Sequence, residues 1–335
     1  MRVVTLEEHF SLLLPGSHNT AASSHAAGSV PDVVANAADK MIDIVGDRLA
    51  DMDRNGITVQ VLSKAGVHIT PSADQFEGQE AVEFAKKFND GFARKIAERP
   101  DRFAALAHLA ASVPDAAADE LERTVTEYGF KGTLISGTIR GAFLDDPKFA
   151  PLLARAEKLG VPIYIHPGMP PADVRKAYYE GFSKNINFGL STFAWGWHYE
   201  VAVHVMRLAV SGAMDKYPKL NFIMSHGGGF IPYQGARWVH GWEVRPEPKV
   251  NIKHSPAPYL DRFIYDTILH AKAPAEWLIS QVGANRVLLG SDYPYDMGMM
   301  DCVRFVRSLD ISEADRAIIL GDEAAKILAK KRKVA

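Results

Sequence analysis

Residues 3–9 read VVTLEEH. The β-branched start has the composition of a strand. It ends in two acids and an imidazole, not in the glycine fingerprint that follows the first strand of a dinucleotide-binding sheet. The same theme, a short apolar run and then a stretch of helical periodicity, recurs along the chain. It predicts strands at residues 3–6, 58–62, 103–109, 132–135, 162–166, 221–225, 263–268 and 286–289. Helices are predicted at 46–55, 80–98, 115–128, 147–159, 199–214, 232–239, 274–282, 299–307 and 313–330. Pro147 and Pro274 suit first helical turns, and Gly56, Gly129, Gly160 and Gly283 stand where helices should stop. Strands apolar throughout, such as NFIMS at 221–225 and RVLL at 286–289, belong in a parallel sheet covered on its outer face. Eight strand-then-helix units therefore predict an α/β fold, a (β/α)8 TIM barrel over residues 1–335 as a single domain. The open doubly wound sheet is the alternative.

Composition narrows the function. Of 335 residues 47% are hydrophobic and 23% charged, the proportions of a folded globular chain. Thirty-eight Lys and Arg against 40 Asp and Glu leave a formal net charge of −2, so no cationic excess recruits nucleic acid or an acidic membrane. Cys302 is the sole cysteine, reads as a small core residue and fits a reducing compartment. The acids and histidine of the first ten residues interrupt any secretory core, and no apolar run reaches the ~20 residues a membrane span needs. A cytoplasmic protein is expected. The basic end at 330–333 reads as a solvated helix terminus.

Four predicted strands end in metal-competent or polar residues: Glu7-Glu8-His9, His166, His226 and Ser291-Asp292. Side chains two apart on a strand share a face, so Glu7 and His9 reach one point while Glu8 points elsewhere. In a closed barrel the last strand lies beside the first, and Asp292 and His166 join them. Taken singly, each is a packed histidine or a helix cap. Together, two imidazoles and two carboxylates make a site for one divalent ion, zinc or manganese, and the absence of thiolates argues for a catalytic ion with an open position.

Two connections exceed ordinary length, 10–40 and 167–198. Following strands one and five, both belong to the carboxyl face, where barrel active sites sit. The second carries Phe193, Trp195 and Trp197, rings able to stack on a planar substrate. His270, just beyond strand seven, can line the same pocket. The other histidines, His68, His108, His198, His204 and His240, read as structural or solvent-facing.

These motifs resemble the amidohydrolase superfamily, in the branch of aminocarboxymuconate-semialdehyde, γ-resorcylate and 2,3-dihydroxybenzoate decarboxylases. The resemblance rests on TLEEHF at 5–10, RLADMDRNGITVQVLS at 48–63, RPDRFAALAHL at 99–109, YIHPG at 164–168, YPKLNFIMSHGGGFIPY at 217–233 and LLGSDYPY at 288–295. It implies metal ligation by Glu7, His9, His166 and Asp292, and a catalytic His226 beside the ion. Arg237, eleven residues after His226, matches an arginine that binds substrate carboxylate from a neighbouring subunit, which implies a homodimer or a dimer-based oligomer. The E-x-H strand is like that of the phenolic-acid decarboxylases, whereas HGGG is like the semialdehyde decarboxylase. Gly229 stands where the former carry glutamate, and residues 37–46 lack the arginine that the latter carry there.

The expected activity is metal-dependent, non-oxidative decarboxylation of a small hydroxylated aromatic or related unsaturated carboxylic acid, with Asp292 as proton donor and His226 orienting substrate or accepting a proton. Metal-dependent hydrolysis of a lactone, amide or ester is the alternative on the same residues.

Overall fold

The computed structural model describes residues 2–12, 37–64 and 72–329. Strands form at Val4–Phe10 (β1), Val59–Lys64 (β2), Phe103–Ala105 (β3), Thr133–Ser136 (β4), Ile163–His166 (β5), Phe222–Met224 (β6), Phe263–Asp266 (β7) and Val287–Leu288 (β8). Every pairing is parallel, within β1-β2-β3 and within β4-β5-β6-β7-β8. Single parallel bridges join the two sheets at both ends. Ala107 N donates to Gly132 O and Leu6 N to Leu289 O, each at 2.8 Å, so the eight strands close into the predicted barrel.

Alternate residues fill the interior. Val4, Leu6, Val59, Val61, Leu106, Leu134, Tyr164, Ile223 and Leu288 form the inner core, whereas Phe10, Phe88 and Phe92 pack in the outer layer between sheet and helices. The helices following the strands are Asp47–Asn55 (α1), Gly78–Ile96 (α2), Pro114–Arg123 (α3), Ala150–Leu159 (α4), Gly196–Val210 (α5), Ile231–Val244 (α6), Lys272–Val282 (α7) and Cys302–Arg307 (α8). Cys302 is buried, as its sequence setting suggests.

Several boundaries differ from expectation for identifiable reasons. β1 runs on through Phe10, so Glu7 and His9 lie inside the strand, with a bulge between Thr5 and Glu8. The segment 167–198 is not one open loop, because it contains helices Ala172–Tyr178 and Lys184–Ser191. Residue 299 belongs to the loop before α8, where Met299 N is taken by Ser291 O at 2.7 Å. The predicted closing helix 313–330 is broken into Glu313–Ala317 and Glu323–Ala329 around Gly321, where an added Cβ would lie 1.9 Å from Arg2 O. Most of the segment 10–40, His68 and the basic end 330–333 lie outside the described residues. Among the described residues no helix is long and apolar enough to cross a membrane.

Arg48 on α1 is fully buried and ties the end of β1 to its surroundings. Its guanidinium donates to His9 O at 2.6 Å, Gln60 Oε1 at 3.1 Å and Asp43 O at 2.9 Å, and it stacks 4.4 Å from the Tyr293 ring. Removing it strands these acceptors and leaves buried Glu8 without its nearby cation. Arg48→Ala is expected to lower unfolding free energy by about 3–5 kcal/mol in urea titration, and a loss below about 1 kcal/mol contradicts that role.

Glu200 on α5 is 5% exposed, and its Oε2 has no hydrogen-bond partner among the described residues. Burial pushes it up to about 7 from 4.5. The folded chain therefore holds a proton that the unfolded chain releases, and stability falls as pH rises through that window. Glu200→Gln should melt above the wild type at about pH 8 and no higher at about pH 4.5, read by thermal denaturation; an equal gain at both pH values contradicts this.

Candidate metal centre

The carboxyl ends of β1, β5, β6 and β8 bring Glu7, His9, His166, His226 and Asp292 together, all buried. Glu7 Oε1 lies 3.0 Å from His166 Nε2 and 3.3 Å from His9 Nε2. His9 Nε2 is 2.9 Å from Asp292 Oδ1, and His226 Nε2 is 3.8 Å from Asp292 Oδ2. Within the cluster, Glu7, His9 and His166 each offer an atom within 4.8 Å of the others, as do Glu7, His226 and Asp292. Both Glu7 oxygens and His226 Nε2 lack hydrogen-bond partners among the described residues despite these approaches. Buried acceptors that converge without donors are costly unless a cation satisfies them. The donor set, imidazole and carboxylate without thiolate, fits a divalent ion such as manganese or zinc.

Backbone strain is concentrated here. Of the described non-glycine residues with positive φ, Glu7 (71°) lies within β1, and His226 (52°), His270 (58°) and Asp292 (59°) follow β6, β7 and β8. Such conformations persist only where neighbours enforce them. Asp292 N donates to Glu7 O at 2.9 Å and His9 N to Tyr293 O at 2.8 Å. Glu8, pointing away from the cluster, accepts from Ser291 N at 3.0 Å, Ser291 Oγ at 2.6 Å and Gln60 Nε2 at 2.9 Å. Asp266 at the end of β7 accepts from His226 N at 2.8 Å, Gly227 N at 3.0 Å, Ile268 N at 3.0 Å and the Tyr164 hydroxyl at 2.9 Å. His166 Nδ1 donates to Pro167 O at 2.7 Å, which leaves Nε2 free to ligate.

Electrostatics follow from burial and crowding. Burial works to raise Glu7, but His166 and His9 hold it well below the usual carboxylate range. Burial works to lower His9, and its contacts with Asp292 and Glu7 overcome that and hold it up to about 10, so without a cation a proton occupies the pair. His226 is pushed down to about 4 by burial against the pull of Asp292 and Glu7, and is therefore a neutral imidazole near pH 7.

The remaining sequence candidates are more dispersed. The Trp197 ring lies 6.5 Å from His166, and its indole nitrogen is buried without a partner among the described residues. Trp195 is exposed and packs 4.8 Å from Phe230, and Phe193 is exposed. His270 is exposed beyond β7, and Arg237 is exposed on α6. His198, which reads as structural or solvent-facing, lies with its ring 5.9 Å from His226 at the rim of the site. His108 and His204 do accept backbone N–H groups, from Ala73 at 3.0 Å and Leu144 at 3.2 Å. Sequence reasoning missed Asp266 and Tyr164; the polar ending of FIYD at 263–266 was the available signal. Gly229 also acquires a reason: at φ 59° its Cβ would meet His198 O at 2.3 Å, so no glutamate fits that backbone.

Comparison with known proteins agrees with this architecture. The amidohydrolase family model matches residues 9–330. The chain is 33% identical to γ-resorcylate decarboxylase of Rhizobium sp. (strain MTP-10005), covering 94% of each chain. It is 28% identical to 2-amino-3-carboxymuconate-6-semialdehyde decarboxylase of Dictyostelium discoideum, over 84% of this chain and 75% of that one. The crystal structure of a dihydroxybenzoic acid decarboxylase from Polaromonas sp. JS666, with bound manganese and the inhibitor 2-nitroresorcinol, superposes with a TM-score of 0.84 at 30% identity, covering 98% and 96% of the two chains. With its ring of eight parallel strands and a carboxylate–imidazole cluster at their carboxyl ends, this chain belongs to the amidohydrolase family.

Proposed function

We propose that the protein is a divalent-metal-dependent, non-oxidative decarboxylase of a hydroxylated aromatic or related unsaturated carboxylic acid. The observation that carries this is the convergence of Glu7, His9, His166 and Asp292, with neither Glu7 oxygen hydrogen-bonded among the described residues, in a chain related to metal-containing decarboxylases of such acids. These four residues would hold the ion, manganese or zinc. Bound there, it supplies Lewis acidity toward the substrate's carboxylate and adjacent oxygen and fixes their orientation.

The chain's own residues do the rest. Asp292 delivers a proton to the ring carbon that bears the carboxylate; a C–H bond forms, the C–C bond breaks, and its electron pair restores the ring as CO2 departs. His226, neutral and within 3.8 Å of Asp292, orients the substrate or accepts a proton. Trp197 beside His166 offers a face to a planar ring, with Trp195 and Phe193 on the outer side and His270 at the rim. Arg237 is exposed and pairs with no acid among the described residues, which supports a role toward the carboxylate in a second copy of a homodimer. A single buried thiol suits a cytoplasmic setting.

Manganese-loaded protein incubated anaerobically with a panel of hydroxybenzoates is expected to release CO2 in step with loss of the acid. Survival of every acid alongside cleavage of a lactone or amide would replace the decarboxylase with a hydrolase. Asp292→Asn should lower kcat by about a hundred- to ten-thousand-fold with far-ultraviolet circular dichroism unchanged; full activity in that variant removes Asp292 from the proton transfer.

A further inference from the structure

The turn that follows β6 is left-handed over four successive residues. His226, Gly227, Gly228 and Gly229 hold φ angles of 52°, 62°, 75° and 59°. Of the four only His226 carries a Cβ, so the strain of that backbone falls on the residue that faces Asp292. Successive left-handed residues turn their N–H groups to one side and make a concavity for an anion. Here the chain supplies the anion itself. Asp266 Oδ2 accepts from His226 N at 2.8 Å and from the Tyr164 hydroxyl at 2.9 Å, and Oδ1 accepts from Gly227 N and Ile268 N, each at 3.0 Å.

The aim of the His226 ring depends on that backbone. Its Nε2 lies 3.8 Å from Asp292 Oδ2 and has no hydrogen-bond partner among the described residues, so no bond at that end of the ring fixes its direction. The ring stands 5.6 Å from that of His166, centre to centre. If φ relaxed to the ordinary negative range, the Cβ and the ring would swing away with it. Asp266 and Tyr164 are both fully buried, and the chemistry proposed above uses neither.

We propose that Asp266, braced by Tyr164, is a positioning residue for the decarboxylation: by filling the concavity of the 226–229 turn it holds the His226 ring against Asp292. The inference deepens the decarboxylase reading and rests on it for what His226 does. Asp266→Asn isolates the effect because it keeps the shape of the side chain. Whichever way the new amide turns, its NH2 stands where a carboxylate oxygen accepted two donors, so either His226 N or Gly227 N loses its acceptor. Burial and the charge of Glu7 push Asp266 up to about 7 while the backbone donors pull it back, so assays at about pH 8 keep it a carboxylate.

The test is a double-mutant cycle on the manganese-loaded full chain, joined to a crystal structure of the variant. Asp266→Asn should lower kcat about 10- to 100-fold, as a small misplacement of a reacting group does, with KM and manganese content within about twofold of the wild type. In a His226→Ala background the same substitution should change kcat by less than about twofold, because the residue through which it acts is gone. A loss that multiplies undiminished in that background, or one that comes with lost manganese, overturns the proposal, as does wild-type kcat in the folded variant. The crystal structure should show the His226 ring displaced from Asp292 and the other cluster residues in place; an unmoved ring overturns the proposal whatever the activity. Should Asp266→Asn not fold, Tyr164→Phe, which removes one brace and strands no buried donor, enters the same cycle with an expected fall of about 3- to 10-fold, and an unchanged kcat there is the contrary result. If the wild type cleaves a lactone or amide and releases no CO2, the decarboxylase reading falls, and the cycle on hydrolysis together with the ring position decides the role of Asp266.

Discussion

Closure of the strand ring is the constraint on which the site depends. β1 meets β8 through Leu6 N to Leu289 O, and the contact continues past the strand ends as Asp292 N to Glu7 O and His9 N to Tyr293 O. Without that seam the acid and histidine of β1 and the aspartate after β8 would belong to opposite ends of the chain. With it, two carboxylates and three imidazoles occupy a volume a few ångströms across, in which Glu7 approaches two histidines without hydrogen-bond geometry. Like acceptors do not stay in such contact unless a cation or protons neutralise them.

The surrounding polar network keeps them there. Glu8 clamps Ser291, and so places Asp292 against Glu7; burial pushes Glu8 up to about 8 even with three donors on it. Asp266 clamps the turn after β6 and lets His226 hold a left-handed backbone. Tyr164, filling the barrel interior, joins Asp266 from beneath. Each strained residue of the cluster thus faces a buried carboxylate or a closing backbone bond, which is how strain at a functional site is sustained by the rest of a fold.

Much of this was legible in the sequence because it follows from periodicity. The eight strands and their order are carried by apolar runs, and the carboxylate–imidazole cluster by which side chains stand two apart on a strand or at its carboxyl end. Glu7 and His9 were readable from EEH alone, although the bulge at Thr5 and Glu8 was not, because a bulge depends on the partner strand. What escaped depends on distant contacts. The break at Gly321 is set by Arg2, more than 300 residues away in sequence. The place of His198 depends on the path of helices Ala172–Tyr178 and Lys184–Ser191. The Asp266 clamp looks like any strand-ending aspartate until the turn at 226–229 is folded over it.

Metal stoichiometry combined with anomalous X-ray scattering on protein prepared with manganese tests the centre itself. One ion per chain is expected, with density bounded by Glu7, His9, His166 and Asp292, and turnover that a chelator removes and manganese restores. An ion seated elsewhere, or full turnover in metal-free protein, would contradict it.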